Sequence, residues 1–187
     1  EEYCKQAVDL YKEITGVTKF KHVATPFLPD GVLIEADECE RGELAGDACK
    51  MLMKNLWLAR LARPDIQKPI SDMSTHLQCW NRNDDKRLLR LMSYMDCTSH
   101  FRLIGKVCDS PDKLKLVLFV DADFAGDSES TRSTTGAFLV LGGPNTWFPL
   151  GWITRKQTST SRSTTEAEIV ALAAALFEEA LPMLGLW

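Results

Sequence analysis

Two pairs of carboxylates stand out by their spacing. Asp121 and Asp123 follow an apolar run, Leu116-Val-Leu-Phe-Val120, and Glu166 and Glu168 open a second apolar run through Ile169, Leu172, Leu176 and Phe177. Acids set one residue apart at the end of a buried strand need an explanation. Burying ionised carboxylates costs several kcal/mol unless they are paired or hold a metal. Hard divalent cations take carboxylate oxygens, and a phosphodiester cut by two metals needs three or four carboxylates converging on one point. The plainer alternative is a strand that ends in a polar turn closed by Gly126, with Asp127 as part of the turn chemistry.

Those acids have to be positioned by the elements around them. Leu116, Leu118 and Val120 alternate with Val117 and Phe119, the pattern of a strand buried on both faces, and Asp121 and Asp123 continue the side of Val117 and Phe119. Residues 135–141 read as a second strand and Gly142-Gly-Pro-Asn145 as a turn. Residues 147–154 read as a third strand, with Pro149 and Gly151 pointing to an edge or a bulge. Strands joined by turns this short form an antiparallel meander. Ser163 with Glu166, and Thr165 with Glu168, fit capping boxes, so a helix starts there and packs its alanines on the sheet.

The chain before this point reads as helical. Tyr3, Ala7, Leu10, Tyr11 and Ile14 share one helical face, stopped by Gly16. Residues 25–46 carry Pro26, Pro29, Gly31 and Gly42 without a sustained period, which predicts a mobile linker. Further helices are predicted over 45–61, from Pro64 to Trp80, and from about Asp84, the last with Lys86, Arg87 and Arg90 on its outer face. The fold class is therefore α+β, divided as 1–47, 48–110 and 111–187.

Composition limits the alternatives. The 187 residues are 45% apolar, enough for a packed core. The sequence shows no apolar run of membrane-spanning length, hence no membrane partner is expected, and no zinc-site spacing among the six cysteines, taken as reduced thiols of an intracellular protein. The net charge of −4 hides an asymmetry. Residues 35–47 hold six acidic residues against one basic, a local −5, whereas residues 48–110 carry a local +5. The acidic block masks a basic region that could face phosphates.

Four motifs in order carry a resemblance. Asp121-Ala-Asp-Phe-Ala-Gly-Asp127, Arg132-Ser-Thr-Thr-Gly136, Arg155-Lys-Gln157 and Ser163-Thr-Thr-Glu-Ala-Glu168 resemble the ribonuclease H domain of copia-type retrotransposon polyproteins. Leu61-Ala-Arg-Pro-Asp65 and the helix with Asp85-Lys-Arg-Leu-Leu-Arg-Leu-Met-Ser-Tyr94 resemble the connection between reverse transcriptase and that domain. The likeness runs from about Ala48 to the end. It implies an incomplete ribonuclease H-like fold after a connection region, and two-metal hydrolysis of the RNA strand of RNA/DNA hybrids with Mg2+ or Mn2+. Asp121 and Glu168 become the catalytic metal ligands, Asp123 and Glu166 the runners-up, and Glu166 has a capping role instead. Arg132, Arg155, Lys156 and Arg162 become candidate phosphate contacts. The remainder of the polyprotein becomes a partner, in a cytoplasmic particle or the nucleus. The family's remaining carboxylates lie beyond this helix, so the chain is expected to be inactive alone. The alternative is a non-catalytic nucleic-acid-binding or structural remnant.

Overall fold

The computed structural model describes residues 1–29, 31–126 and 131–186. The chain forms two compact units, Glu1–Arg102 and Leu103–Trp187. The first is all helix. α1 (Glu2–Thr15) buries Cys4, Ala7, Val8 and Tyr11, and Gly16 ends it in the left-handed region with φ 72°, donating its amide to Lys12 O at 2.8 Å. α2 is the single turn Glu35–Glu38. α3 (Ala48–Leu61), a 3-10 turn at Pro64–Ile66, α4 (Gln67–Ser74) and α5 (Arg82–Cys97) complete the unit. Met51, Leu52, Ile70, Leu88 and Met92 are fully buried among them. Because α1 shares this core with α3 to α5, the segments read as 1–47 and 48–110 fold as one unit up to Arg102.

Two expectations change here. α4 stops at Ser74 instead of reaching Trp80, because the Ser74 and Thr75 hydroxyls bond Ile70 O and Asp72 O, both at 2.7 Å, and the chain turns. The stretch 25–46 is docked and not a free linker. Its backbone pairs with residues around the start of α5 through Gly42 N to Trp80 O at 3.1 Å and Arg82 N to Glu40 O at 3.1 Å. The Glu43 and Leu44 amides donate to Asp85 at 2.7 and 3.2 Å.

α5 begins two residues earlier than read, with Asn81 as its cap. Asn81 Oδ1 accepts from the Asp84 amide and Asp84 Oδ2 accepts from the Asn81 amide, each at 3.1 Å. Asp84 is fully buried and also meets His76 Nδ1 at 2.9 Å and Arg87 at 2.7 Å. Burial works against its charge, but the His76, Asn81 and Arg87 contacts outweigh that and hold its carboxyl below the usual range. A folded pKa below the unfolded one gives stability that is complete above the unfolded value, about 4, and is lost as pH falls through the folded value. The urea midpoint of the first unit is expected to drop as pH falls below about 4, and Asp84→Asn should flatten that drop. An equally steep acid limb in the variant would refute the assignment.

The second unit is a sheet with one long helix. A 3-10 turn at Pro111–Lys113 leads into β1 (Lys115–Asp123), β2 (Thr134–Gly142) and β3 (Trp147–Lys156), antiparallel in the order β1-β2-β3. The register slips between Leu139 and Val140, where Leu139 pairs with Gly151 and Val140 with Pro149, so the irregular residues of β3 mark a bulge. Residues 103–110 join the sheet through an isolated bridge from Lys106 to Trp147 and through Thr146, whose Oγ1 accepts from the Cys108 and Asp109 amides at 3.0 and 3.1 Å.

α6 (Thr164–Ala175) lays Ala167, Ala171 and Ala175, all fully buried, on the sheet. A π turn (Leu176–Ala180) carries it into α7 (Leu181–Leu186). The Leu181 amide bonds Leu176 O there, and Pro182, which has no amide and crowds the carbonyl four residues back, comes next. The stretch Thr164–Leu186 is thus one helix that, by length and composition alone, could cross a membrane. That corrects the sequence reading, which found no apolar run of membrane-spanning length.

Candidate functional site

β1 places the aspartates. Val120 and Ala122 pack against Ala167 and Ala171, and Leu118 and Val120 pack with Ala137, Ile153 and Ala175. The even-numbered side of β1 therefore lies under α6, and alternation sends Phe119, Asp121 and Asp123 to the other face. That other face carries the cross-strand row Phe119, Phe138 and Trp152, with Phe138 and Trp152 stacked at 6.0 Å, and next to it the row Asp121, Gly136 and Thr154. Asp121 is exposed there. Asp123 folds back over its own turn. A Cβ at Gly126 would stand 2.0 Å from Asp123 Oδ2, so a larger residue there would push the Asp123 carboxylate aside. Ala125 sits at φ 52° and donates its amide to Ser133 Oγ at 3.3 Å. Asp127 lies outside the described residues.

The glutamates sit at the start of α6. Ser163 Oγ accepts from the Glu166 amide at 3.2 Å, and Glu166 Oε2 accepts from the Arg162 amide at 2.7 Å. Glu166 thus caps the helix one residue further back than a standard capping box. Glu168 is half-buried beside Ala167, on the α6 side of the sheet.

Asp121 thus lies on the face of β1 opposite Val120 and Ala122, and Glu168 follows Ala167 in the first turns of α6. Small alanines at 122 and 137, rather than the aspartates, make room for α6. Asp123 is turned onto Gly126 and Glu166 is committed to a backbone amide. Among the described residues no three His, Cys, Asp or Glu side chains group as a metal-binding set.

What this region does join is three elements through Gln157. Its side chain is buried, and its Nε2 donates to Ala167 O of α6 at 2.9 Å and to Thr135 Oγ1 of β2 at 3.3 Å. Its Oε1 accepts from Ser161 Oγ at 3.2 Å, and its amide bonds Ser133 O at 2.8 Å. Sequence reasoning placed Gln157 in a motif but gave it no role, since burial of a polar side chain after a strand leaves no periodic trace.

The basic candidates differ. Arg132 and Arg162 are exposed, Lys156 is half-buried in the row of Asp123 and Thr134, and Arg155 reaches over the sheet to an ion pair with Glu178. In the first unit the basic side of α5 is already engaged. Lys86 pairs with Asp37, Arg82 with Glu40 at 2.9 Å, Arg87 with Asp84, and Arg90 donates to Thr25 O at 2.9 Å.

Comparison with known proteins gives three relevant relatives. The chain is 29% identical over 122 residues, 65% of its length, to a retrovirus-related Pol polyprotein from transposon RE1 of Arabidopsis thaliana, and it spans 8% of that polyprotein. It is 31% identical over 123 residues to secreted RxLR effector protein 161 of Plasmopara viticola, covering 66% of this chain and 82% of the relative. It is also 33% identical over 113 residues, 60% of this chain, to an uncharacterised mitochondrial protein of Arabidopsis thaliana, covering 44% of that protein. No family model matches the chain, and no solved structure matches it.

Proposed function

Because the chain belongs to the family of copia-type, retrovirus-related transposon Pol polyproteins, we propose that it is the segment joining such a polyprotein's polymerase part to its nuclease part. The helices of the first unit are the connection, and β1, β2, β3 and α6 open a ribonuclease H-like layer. Hydrolysis of the RNA strand of an RNA/DNA hybrid is then the work of the larger polyprotein and not of this chain alone. The observation that supports this reading is the order of elements. An antiparallel meander whose first strand ends in Asp121 is followed by a helix packed across it with Glu166 and Glu168 in its first turns. A two-metal site needs three or four carboxylates, more than Asp121 and Glu168 supply by themselves.

The test is a labelled RNA/DNA hybrid incubated with this chain in Mg2+ or Mn2+. Cleavage no greater than in metal alone is expected. Metal-dependent cleavage by this chain that vanishes in Asp121→Asn would overturn the proposal. A second reading, a structural remnant without activity in any context, is favoured by there being, among the described residues, no three His, Cys, Asp or Glu side chains that group as a metal-binding set. A longer polyprotein segment decides between them. Cleavage lost by Asp121→Asn supports the first reading, and no cleavage by either form supports the second.

A further inference from the structure

Arg82, Lys86 and Arg90 recur every fourth residue on α5, so they form one row of cations along the helix. Each is met by an oxygen from the segment 25–40, far away in sequence. Asp37 pairs with Lys86, Glu40 with Arg82, and Thr25 offers its carbonyl to Arg90 at 2.9 Å and its hydroxyl at 3.0 Å. The strap is held in place by neutral bonds as well. Asn83 accepts from the Ile34 amide at 3.3 Å and donates to Ile34 O at 2.9 Å.

We propose that this acidic strap is an internal stand-in for a phosphate backbone, and that a nucleic acid displaces it to reach the row Arg82, Lys86 and Arg90. The choice of nucleic acid as the polyanion rests on the polyprotein reading above. The charges argue for displacement rather than permanent closure. The Arg82 and Glu40 side chains are 50% and 55% exposed, and such pairs contribute about 0–1 kcal/mol each. A phosphate polymer offers many charges at once and releases condensed counterions when cations replace them, a gain that two separate carboxylates do not supply. The local −5 of residues 35–47 thus sits on the basic side of α5, where it hides a binding face that the overall net charge of −4 does not suggest.

The experiment is fluorescence anisotropy of a labelled RNA/DNA hybrid with the full chain carrying Asp37→Asn and Glu40→Gln. Binding at low salt should tighten about tenfold. The slope of log K against log salt should steepen by about 2, since each freed cation adds roughly 0.9. Adding Arg82→Ala and Lys86→Ala should abolish the gain. A gain that survives those two changes overturns the proposal, as does no gain in a variant whose melting curve is intact. Amide exchange in the unaltered chain guards against a folding defect. Exchange at Ile34 should quicken when hybrid is added, and unchanged exchange overturns displacement. Polyglutamate tightening as much as the hybrid overturns the assignment to nucleic acid. Binding is read without cleavage, so failure here leaves the polyprotein reading to its own assay.

Discussion

Asp65→Ala should lower the stability of the first unit by about 3 kcal/mol or more, the usual result of stripping a buried cation of its partner. Arg63 is only 4% exposed at its side chain. Its Nη2 lies 2.7 Å from Asp65 Oδ2 and 2.7 Å from Thr98 Oγ1, and its Nη1 donates to Thr98 O at 3.0 Å. Burial opposes both charges, yet the pairing holds the Asp65 carboxyl below its usual range, helped by the Tyr94 hydroxyl donating to it at 2.9 Å. With Asp65 gone, the guanidinium keeps the two Thr98 oxygens but no counter-charge. Removing both charges is a different experiment. Arg63→Met with Asp65→Leu should recover most of the loss, because no orphan ion is then buried. Urea unfolding followed by amide exchange in α5 measures both. A single variant as stable as the double would mean the ion pair contributes little here.

Gln157→Leu should cost the second unit about 2 kcal/mol or more. The substitution keeps the shape roughly but removes a donor shared by Ala167 O and Thr135 Oγ1 and an acceptor used by Ser161. The Thr135 and Ser161 hydroxyls would lose these bonds and Ala167 O would keep only its bond within the helix, and each buried group left unsatisfied costs about 1–3 kcal/mol. Ser161→Ala removes one bond at the edge of the same cluster and should cost less than half as much. Thermal melts of the two variants give the comparison, and equal losses would show that Gln157 is not the joint. Because the joint ties the start of α6 to the sheet, faster exchange at the first α6 amides should accompany the loss in Gln157→Leu.

Local pattern made much of this legible. The face of α1, the alternation of β1 and the irregularity at Pro149 and Gly151 all follow from side-chain spacing within a few residues. Alternation also put Asp121 on the side of Phe119. What spacing could not say was which side the helix would choose. Ala122 and Ala137 decide that, since three alanines on α6 can approach closely only where the sheet is also small. The docking of residues 25–46 was hidden for another reason. Its bonds to Trp80, Asn83 and Asp85 join residues roughly forty or more apart, and glycine and proline within it read as looseness when they shape a fitted strap. The basic side of α5 was visible as charge, but its engagement by Asp37 and Glu40 was not.

The wide turn before Pro182 sets the phase of the last helical residues. Successive residues of an ordinary helix step by about 100°, so neighbours such as Glu178 and Glu179 would diverge. Here Glu178 meets Arg155 while Glu179 lies against Gly151, where a Cβ would come within 2.5 Å of its Oε2. The extra residue in that turn also rotates the remainder of the helix, and carries the exposed ridge of Ile169, Leu172 and Leu176 onward toward Leu181 and Leu184. One added residue thus works as an angular offset, keeping two acids aimed at β3 while an apolar seam continues along the opposite side of the same rod.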